Sequence, residues 1–184
     1  MIKLEYFERG DFKQLIDWID TEELLMNWAG STFNFPLTEA SMEWYIKKTN
    51  VPHNSDAFLY KVIDVDTGEV VGHISLGSIS RKNRSARISR VLIGSGEHKG
   101  KGYCKEMVKE VLKFGFNELK LHRITLGVYD NNPSALKCYE GSGFSVDGKL
   151  RDILQFKPGE WWSLIEMSIL EDEWRYMHSA PDIL

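Results

Sequence analysis

The feature that most constrains the fold of this chain is a glycine-rich loop between an apolar strand and a helix. The run reads Val91-Leu92-Ile93-Gly94-Ser95-Gly96-Glu97-His98-Lys99-Gly100-Lys101-Gly102-Tyr103. Glycines let successive backbone N–H groups point into one concavity, and the helix that follows offers unpaired N–H groups and a positive dipole end. The segment therefore predicts a phosphate-binding loop, to which Lys99 and Lys101 add positive charge.

Two common phosphate-binding loops do not match these residues. A nucleoside-triphosphate loop ending at Gly100-Lys101 would place its first glycine at Ser95 and its magnesium-binding hydroxyl at Gly102. A dinucleotide-binding loop starting at Gly94 would place its third glycine at Lys99. Both kinds of site are disfavoured.

Hydrophobic periodicity places the loop within an ordered series of helices and strands. A strand is predicted over 2–7, followed by helices over 11–19, 22–28 and 38–48. A period of two then predicts a hairpin, with one strand starting at 57 and the other over 69–80. A third strand is predicted over 85–93 and leads into the glycine-rich loop. In that third strand the alternation slips at Arg90, which predicts a β-bulge near residues 89–91.

The second half predicts two more helices and three strands. Apolar residues at intervals of three and four indicate a helix over 101–119, and a strand follows over 124–128. Asn132 and Pro133 form a strong helix start for a short helix over 134–140. The last two strands are predicted over 144–150 and 161–170.

Length and composition predict one domain over residues 1–184. The chain has 184 residues, of which 42% are hydrophobic and 27% charged, as in ordinary globular proteins. We expect a cytoplasmic protein with no membrane partner, because we find neither a signal peptide nor a run of about 20 apolar residues. Cys104 and Cys138 lack metal-site or disulfide-framework spacing, and we expect buried free thiols and no metal.

The charge pattern disfavours a nucleic-acid partner. The formal net charge is −4, and no basic footprint is evident. One local group of basic residues is predicted to form a solvated hairpin that could face an anion. Its members are Arg81, Lys82, Arg84, Arg87 and Arg90.

Two motifs in this order resemble the GNAT family of acetyl-CoA-dependent N-acetyltransferases. Lys99-Gly100-Lys101-Gly102-Tyr103-Cys104 is similar to the family pattern Arg/Gln-x-x-Gly-x-Gly/Ala, with departures at Lys99 and Cys104. The more specific motif is Asn132-Pro133-Ser134-Ala135-Leu136-Lys137-Cys138-Tyr139-Glu140-Gly141-Ser142-Gly143-Phe144. The likeness is firm over about 57–146. By its length and helical first third the chain looks most similar to the branch of ribosomal-protein alanine N-acetyltransferases, which also holds small-amine acetylators.

The resemblance implies an α/β fold with a mixed, mostly antiparallel sheet of about six to seven strands and helices on both faces. It implies acetyl-CoA as cosubstrate. Backbone N–H groups would bind its pyrophosphate, and those groups belong to Lys99, Gly100, Lys101, Gly102, Tyr103 and Cys104. Backbone groups of Val91, Leu92 and Ile93 would bind the pantetheine amides and the acetyl oxygen. Asn132 would contact the pantetheine arm or cap its helix, and Tyr139 would protonate the departing thiolate.

The acceptor and the general base stay open. We expect a primary amine on a small molecule or a protein N-terminus, handled by a monomer or homodimer, with Trp28, Trp161 and Trp162 as candidate pocket residues. Arg87 stands where many relatives have a catalytic glutamate, so His73, Glu166 or a water chain are the alternatives for the base. The same substitution motivates another hypothesis, a non-catalytic acyl-CoA-binding module. A nucleotide-phosphate binder is a third.

Overall fold

Seven strands form one sheet in the computed structural model, which describes residues 1–94 and 96–179. In chain order the strands are β1 (Ile2–Tyr6), β2 (Phe58–Asp64), β3 (Val70–Ser80), β4 (Ser85–Ile93), β5 (Arg123–Tyr129), β6 (Ser145–Lys157) and β7 (Glu160–Leu170). The helices of the described chain are α1 (Phe12–Trp18), α2 (Glu22–Ala29), α3 (Glu39–Tyr45), α4 (Tyr103–Lys113), α5 (Pro133–Glu140) and α6 (Glu171–His178). The predicted mixed α/β fold is confirmed.

The predicted elements and the observed ones differ mainly at their ends, and β6 extends to Lys157 although its strand was predicted to end at 150. The loop after α2 includes a short 3-10 turn over Gly30–Thr32. The predicted helix over 101–119 begins only at Tyr103, because Gly102 caps it with a left-handed backbone, and it ends in a π-helical stretch, Phe114–Glu118. Helix α6 was not predicted.

The sheet order is β1-β2-β3-β4-β5-β7-β6. Each neighbouring pair is antiparallel except β4 and β5, which are parallel. These two strands pair only over Ser85–Arg87 with Arg123–Thr125, near the start of each strand. Beyond that point they separate, and this opening positions the site described below.

Helices cover both faces of the sheet, and each face has its own apolar core. On one face, buried side chains of α4 such as Met107 and Leu112 pack in the same cluster as Ile88 and Ile124 of the sheet. On the other face, α1, α2 and α3 pack against the sheet around Leu92 in a second cluster. The apolar spacing of three and four residues in α4 explains why one side of that helix is buried.

Cys104 and Cys138 form a disulfide, so the prediction of two free thiols was wrong. Cys104 lies in the first turn of α4 and Cys138 lies in α5. Their Cα atoms are 6.3 Å apart, within the range that a disulfide spans. The sequence could not reveal this pairing, because it depends on α4 and α5 packing side by side, although the two cysteines are 34 positions apart.

The described part of the chain contains no helix that is long and apolar enough to cross a membrane.

Candidate active site

The separation of β4 from β5 creates a cleft whose wall is unpaired backbone. A β-bulge lies where the sequence predicted it: the register between β3 and β4 shifts past Ser89, and Arg90 has a positive φ of 56°. After the bulge, Leu92 and Ile93 pair with β3 on one edge only. Val91, Leu92 and Ile93 thus present backbone hydrogen-bonding groups to the cleft, as an extended amide ligand requires.

The glycine loop continues from this strand into the N-terminus of α4. Gly100 and Gly102 have φ of 79° and 85°, a left-handed backbone that glycine adopts without strain. The N–H groups of residues 100–104 donate to no described residue, whereas Lys99 donates to Gly96 and Lys105 to Gly102. Lys99 and Lys101 are exposed, and Ser95 lies outside the described residues. Free N–H groups at a helix N-terminus are suited to a phosphate anion.

Tyr103 points its side chain away from the loop. Its ring is buried, and its hydroxyl donates to the Asp64 carboxylate. This hydrogen bond lowers the pKa of Asp64 and raises the pKa of Tyr103 to about 12. Tyr103 can therefore serve a ligand at the loop only through its backbone N–H group.

Asn132 and Tyr139 lie at opposite ends of α5. The Asn132 Oδ1 atom accepts from the Ala135 backbone N–H at 3.1 Å, so Asn132 caps the helix as its sequence context predicted. Tyr139 is 6% exposed and packs against Phe144. Burial raises the pKa of the Tyr139 hydroxyl, and it therefore stays protonated at neutral pH. The disulfide joins the residue before Tyr139 to the start of α4.

Arg87 and Glu166 form an ion pair across the sheet. The Arg87 Nη1 and Nη2 atoms donate to the two Glu166 carboxylate oxygens at 2.7 and 2.9 Å. The guanidinium reaches β7 by crossing over Gly127 of β5, which lies opposite Glu166 in the sheet register. Both residues were singled out from the sequence, but their pairing was not. Both Glu166 oxygens accept from Arg87, so neither is without a hydrogen-bond partner.

We expect Gly127→Ala to reduce the free energy of unfolding by about 1 to 3 kcal/mol, the usual cost of overpacking. A Cβ there would overlap the Arg87 Nη2 atom and lie 3.1 Å from Leu164 Cδ2. Urea unfolding measures the change. Gly148→Ala is the matched control, because no atom lies within 4 Å of its added Cβ. A Gly127→Ala protein as stable as the control would contradict the close approach.

His73 is buried in an aromatic cluster beneath the bulge. It is 1% exposed, its Nε2 atom lies 3.0 Å from the Tyr45 hydroxyl, and its Nδ1 atom has no partner among the described residues. Burial, with a smaller contribution from the nearby Arg90 charge, lowers the pKa of His73 to about 3. The imidazole is therefore neutral and a weak base at physiological pH.

A second aromatic group lines the cleft on the side of α2. The Trp28 Nε1 atom donates to the Arg90 backbone carbonyl at 3.0 Å, which ties α2 to the bulge. Tyr129 packs against Trp162, and a Cβ added at Gly30 would lie 3.0 Å from the Tyr129 hydroxyl. Trp28 and Trp162, both candidates from the sequence, are thus buried on this face, whereas Trp161 is 51% exposed.

Sequence reasoning named Arg90 but missed the contacts through which it joins these groups. Arg90 lies over the rings of Trp28 and Phe33, at 5.5 and 5.7 Å from their centroids. The sequence indicated Arg90 as a member of the basic hairpin group and as the phase slip that located the bulge, but neither gave the direction of its side chain. Within the described residues, no cluster of three His, Cys, Asp or Glu side chains could hold a metal ion.

Comparisons with known proteins agree with this geometry. Residues 2–145 match the family model described as an acetyltransferase (GNAT) domain. The chain is 25% identical to spermidine N(1)-acetyltransferase of Vibrio cholerae over 173 residues, 94% of this chain and 95% of that protein. It is 31% identical to YdaF of Bacillus subtilis, provisionally assigned as a ribosomal N-acetyltransferase, over 107 residues, 58% of this chain and 57% of that one.

Solved structures show the same similarity. The spermidine N-acetyltransferase from Vibrio cholerae, in complex with CoA and spermine, superposes with a TM-score of 0.79 at 26% identity. The alignment covers 95% of this chain and 98% of that one. Another structure of that enzyme, with a TM-score of 0.74 at 25% identity over 97% of this chain and 98% of that one, is dodecameric.

Proposed function

Since the chain belongs to the GNAT acetyltransferase family, we propose that it transfers an acetyl group from acetyl-CoA to a primary amine by direct attack, with Tyr139 as the general acid. The class of enzyme and its cosubstrate follow from the family and from its CoA-bound structural neighbour. The observation that best supports the reaction is the cleft itself. Unpaired backbone of β4 leads directly into unpaired N–H groups at the start of α4.

The donor would lie along these two segments. The pyrophosphate would be bound by the N–H groups at residues 100–104, because the Lys99 N–H already donates to Gly96. The Lys99 and Lys101 side chains would add charge at the rim. The backbone of Val91–Ile93 would bind the pantetheine amides and the acetyl oxygen, and so stabilise the charge that develops on that oxygen. Asn132 uses Oδ1 for its cap, which leaves the Nδ2 donor for the pantetheine arm.

The reaction needs one proton for the leaving group and one proton removed from the amine. The amine nitrogen attacks the thioester carbon, the new C–N bond forms and the C–S bond breaks. The thiolate takes the Tyr139 proton, and the proton lost from the amine passes to solvent and restores the phenol. Burial keeps the Tyr139 hydroxyl protonated at neutral pH, so its proton is present when the thiolate leaves.

The described residues at the cleft favour solvent over a side chain as the base. Glu166 is held by Arg87 through both oxygens, and the pKa of His73 is about 3. Arg87, whose presence at the usual glutamate position motivated the hypothesis of a non-catalytic module, is thus balanced by Glu166. A non-catalytic module would bind CoA without turnover. We propose that water in the cleft accepts the proton from the amine.

The pH dependence tests this proposal. We expect log kcat/KM to rise with a slope of about one up to the acceptor's own amine pKa, since only the unprotonated amine attacks. His73 adds no inflection between pH 5 and 8, because its pKa is about 3. Profiles with two acceptors of different basicity should have inflections that follow each amine. An inflection fixed at one pH for both acceptors would instead indicate a protein base.

Thiol release measures the proposed function directly. Purified protein is mixed with acetyl-CoA and a panel of amino acids, peptides, polyamines and aminoglycosides, and free CoA thiol is followed with a chromogenic disulfide. Release that depends on an acceptor supports transfer. Calorimetric binding of CoA without release by any acceptor would support the non-catalytic module, and tighter binding of ATP than of CoA would support a nucleotide site.

Two further proposals concern the extent of the domain and its assembly. We propose that residues 1–184 act as one acetyltransferase domain, because β7, which follows the matched region, lies between β5 and β6 in the same sheet. We propose a monomer or homodimer, although the Vibrio cholerae enzyme has been found as a dodecamer. Light scattering after size exclusion distinguishes these states.

A further inference from the structure

Arg90 differs from the other arginines of its hairpin in having no acidic partner. Among the described residues, no carboxylate lies within 4.0 Å of the Arg90 guanidinium. The other three are paired: Arg81 with Asp56 at 3.1 Å, Arg84 with Glu171 at 2.7 Å and Arg87 with Glu166 at 2.7 Å. Arg90 is therefore the one arginine of the hairpin whose charge the described chain does not balance.

The Arg90 guanidinium is held in place by its neighbours, but few of its N–H donors have an acceptor in the described chain. It lies over the Trp28 and Phe33 rings, and Nη2 donates to the Thr32 hydroxyl at 2.9 Å. Its Nε atom is buried and has no hydrogen-bond partner among the described residues. A guanidinium has five N–H donors, and a buried donor without an acceptor is costly. The arrangement is that of a cation prepared for an acceptor group that the chain does not supply.

The bulge fixes this cation beside the cofactor strand. The positive φ of Arg90 turns its side chain toward α2, and the Trp28 indole holds its carbonyl. The very next residues are Val91–Ile93, the segment proposed to hold the acyl group. The titratable side chains that influence the pKa of Arg90 are Tyr45 and Tyr129. Burial raises the pKa of both phenols, so both are neutral at physiological pH.

We infer that Arg90 recognises an anionic group on the acceptor, so that the acceptor is an amine bearing a carboxylate or phosphate close to the reacting nitrogen. This inference rests on the proposed acetyl transfer. A guanidinium binds carboxylates and phosphates through two parallel hydrogen bonds. A linear polyamine would instead bring ammonium groups toward an unbalanced cation, which costs energy in a partly desolvated site. The anionic group is placed close to the reacting nitrogen because Arg90 directly precedes Val91–Ile93, the segment proposed to hold the acyl group.

Matched acceptors test the inference. Thiol release is measured with α-amino acids, their primary amides, 2-aminoethyl phosphate and a linear polyamine, each compared at equal concentration of unprotonated amine. We expect kcat/KM for an amino acid to exceed that for its amide by about 30-fold, the worth of a charge-assisted hydrogen bond. The phosphate compound, compared with the amino acids, shows which anion the site prefers.

Variants of Arg90 separate recognition from structure. Arg90→Gln should raise KM for the anionic acceptor at least about 10-fold and remove the preference over the amide, so that kcat/KM falls at least about 10-fold more for the anionic acceptor than for the amide. Arg90→Lys should recover part of the preference. Arg81→Gln is the control, because it removes the same charge from an exposed position in the same hairpin.

Three results would overturn the inference. Amides or the polyamine used as well as the anionic acceptors would refute it while leaving acetyl transfer intact. An equal loss with every acceptor in Arg90→Gln would assign Arg90 a purely structural role. Absence of release with the whole panel, despite CoA binding, would refute the proposed function and the inference with it.

Discussion

Replacing Tyr139 with phenylalanine is expected to lower kcat about 100-fold or more, because the variant loses the proton donor for the thiolate. The ring and its packing on Phe144 are retained, at a centroid distance of 6.4 Å in the parent structure. CoA affinity should therefore change by less than about twofold, and the free energy of unfolding by less than about 1 kcal/mol. Steady-state thiol release at saturating acetyl-CoA, calorimetry with CoA and urea unfolding measure the three quantities.

Tyr60→Phe is the matched control for this experiment. Tyr60 is also 6% exposed, and burial raises the pKa of its hydroxyl as it does for Tyr139. It lies on β2, away from the cleft, so its removal should leave kcat within about twofold of the parent. If both variants lose activity equally, the effect comes from packing rather than from proton transfer. An unchanged kcat in Tyr139→Phe would remove Tyr139 from the mechanism.

The parts of the site that lie within one stretch of chain could be predicted from the sequence. The strand, loop and helix around Gly102 follow from local backbone chemistry and periodicity. The bulge at Arg90 was visible because a strand with one buried face cannot shift its phase without an extra residue. The Asn132 cap followed from its neighbours in the same way.

The parts that join distant segments could not be predicted. Arg87 and Glu166 are 79 positions apart, and the Trp28 indole and the Arg90 carbonyl 62 positions apart. Such pairs depend on strand order and helix docking, which single-sequence periodicity does not specify. Helix α6 was missed because it has only eight residues and Trp174 is its one buried residue, too short a segment to separate from the strand before it.

Removing the disulfide is expected to reduce the free energy of unfolding by about 3 to 4 kcal/mol, given that it closes a loop across 34 positions. Urea unfolding of the parent is compared with and without a phosphine reductant. The double variant Cys104→Ala, Cys138→Ala should unfold like the reduced parent and should not respond to reductant. A thiol assay on the denatured, unreduced parent should find no free thiol.

The same bond has a functional consequence, because of the two sites it joins. Cys104 lies in the turn whose N–H groups would bind pyrophosphate, and Cys138 immediately precedes Tyr139. Reduction should weaken CoA binding by several-fold, since an unlinked helix N-terminus loses more conformational entropy when it is ordered by the ligand. The double variant again serves as control. The expectation is contradicted if the unreduced parent has two titratable thiols or is equally stable before and after reduction. In either case α4 and α5 are held by packing alone, and Cys104 contributes to the loop only through its backbone.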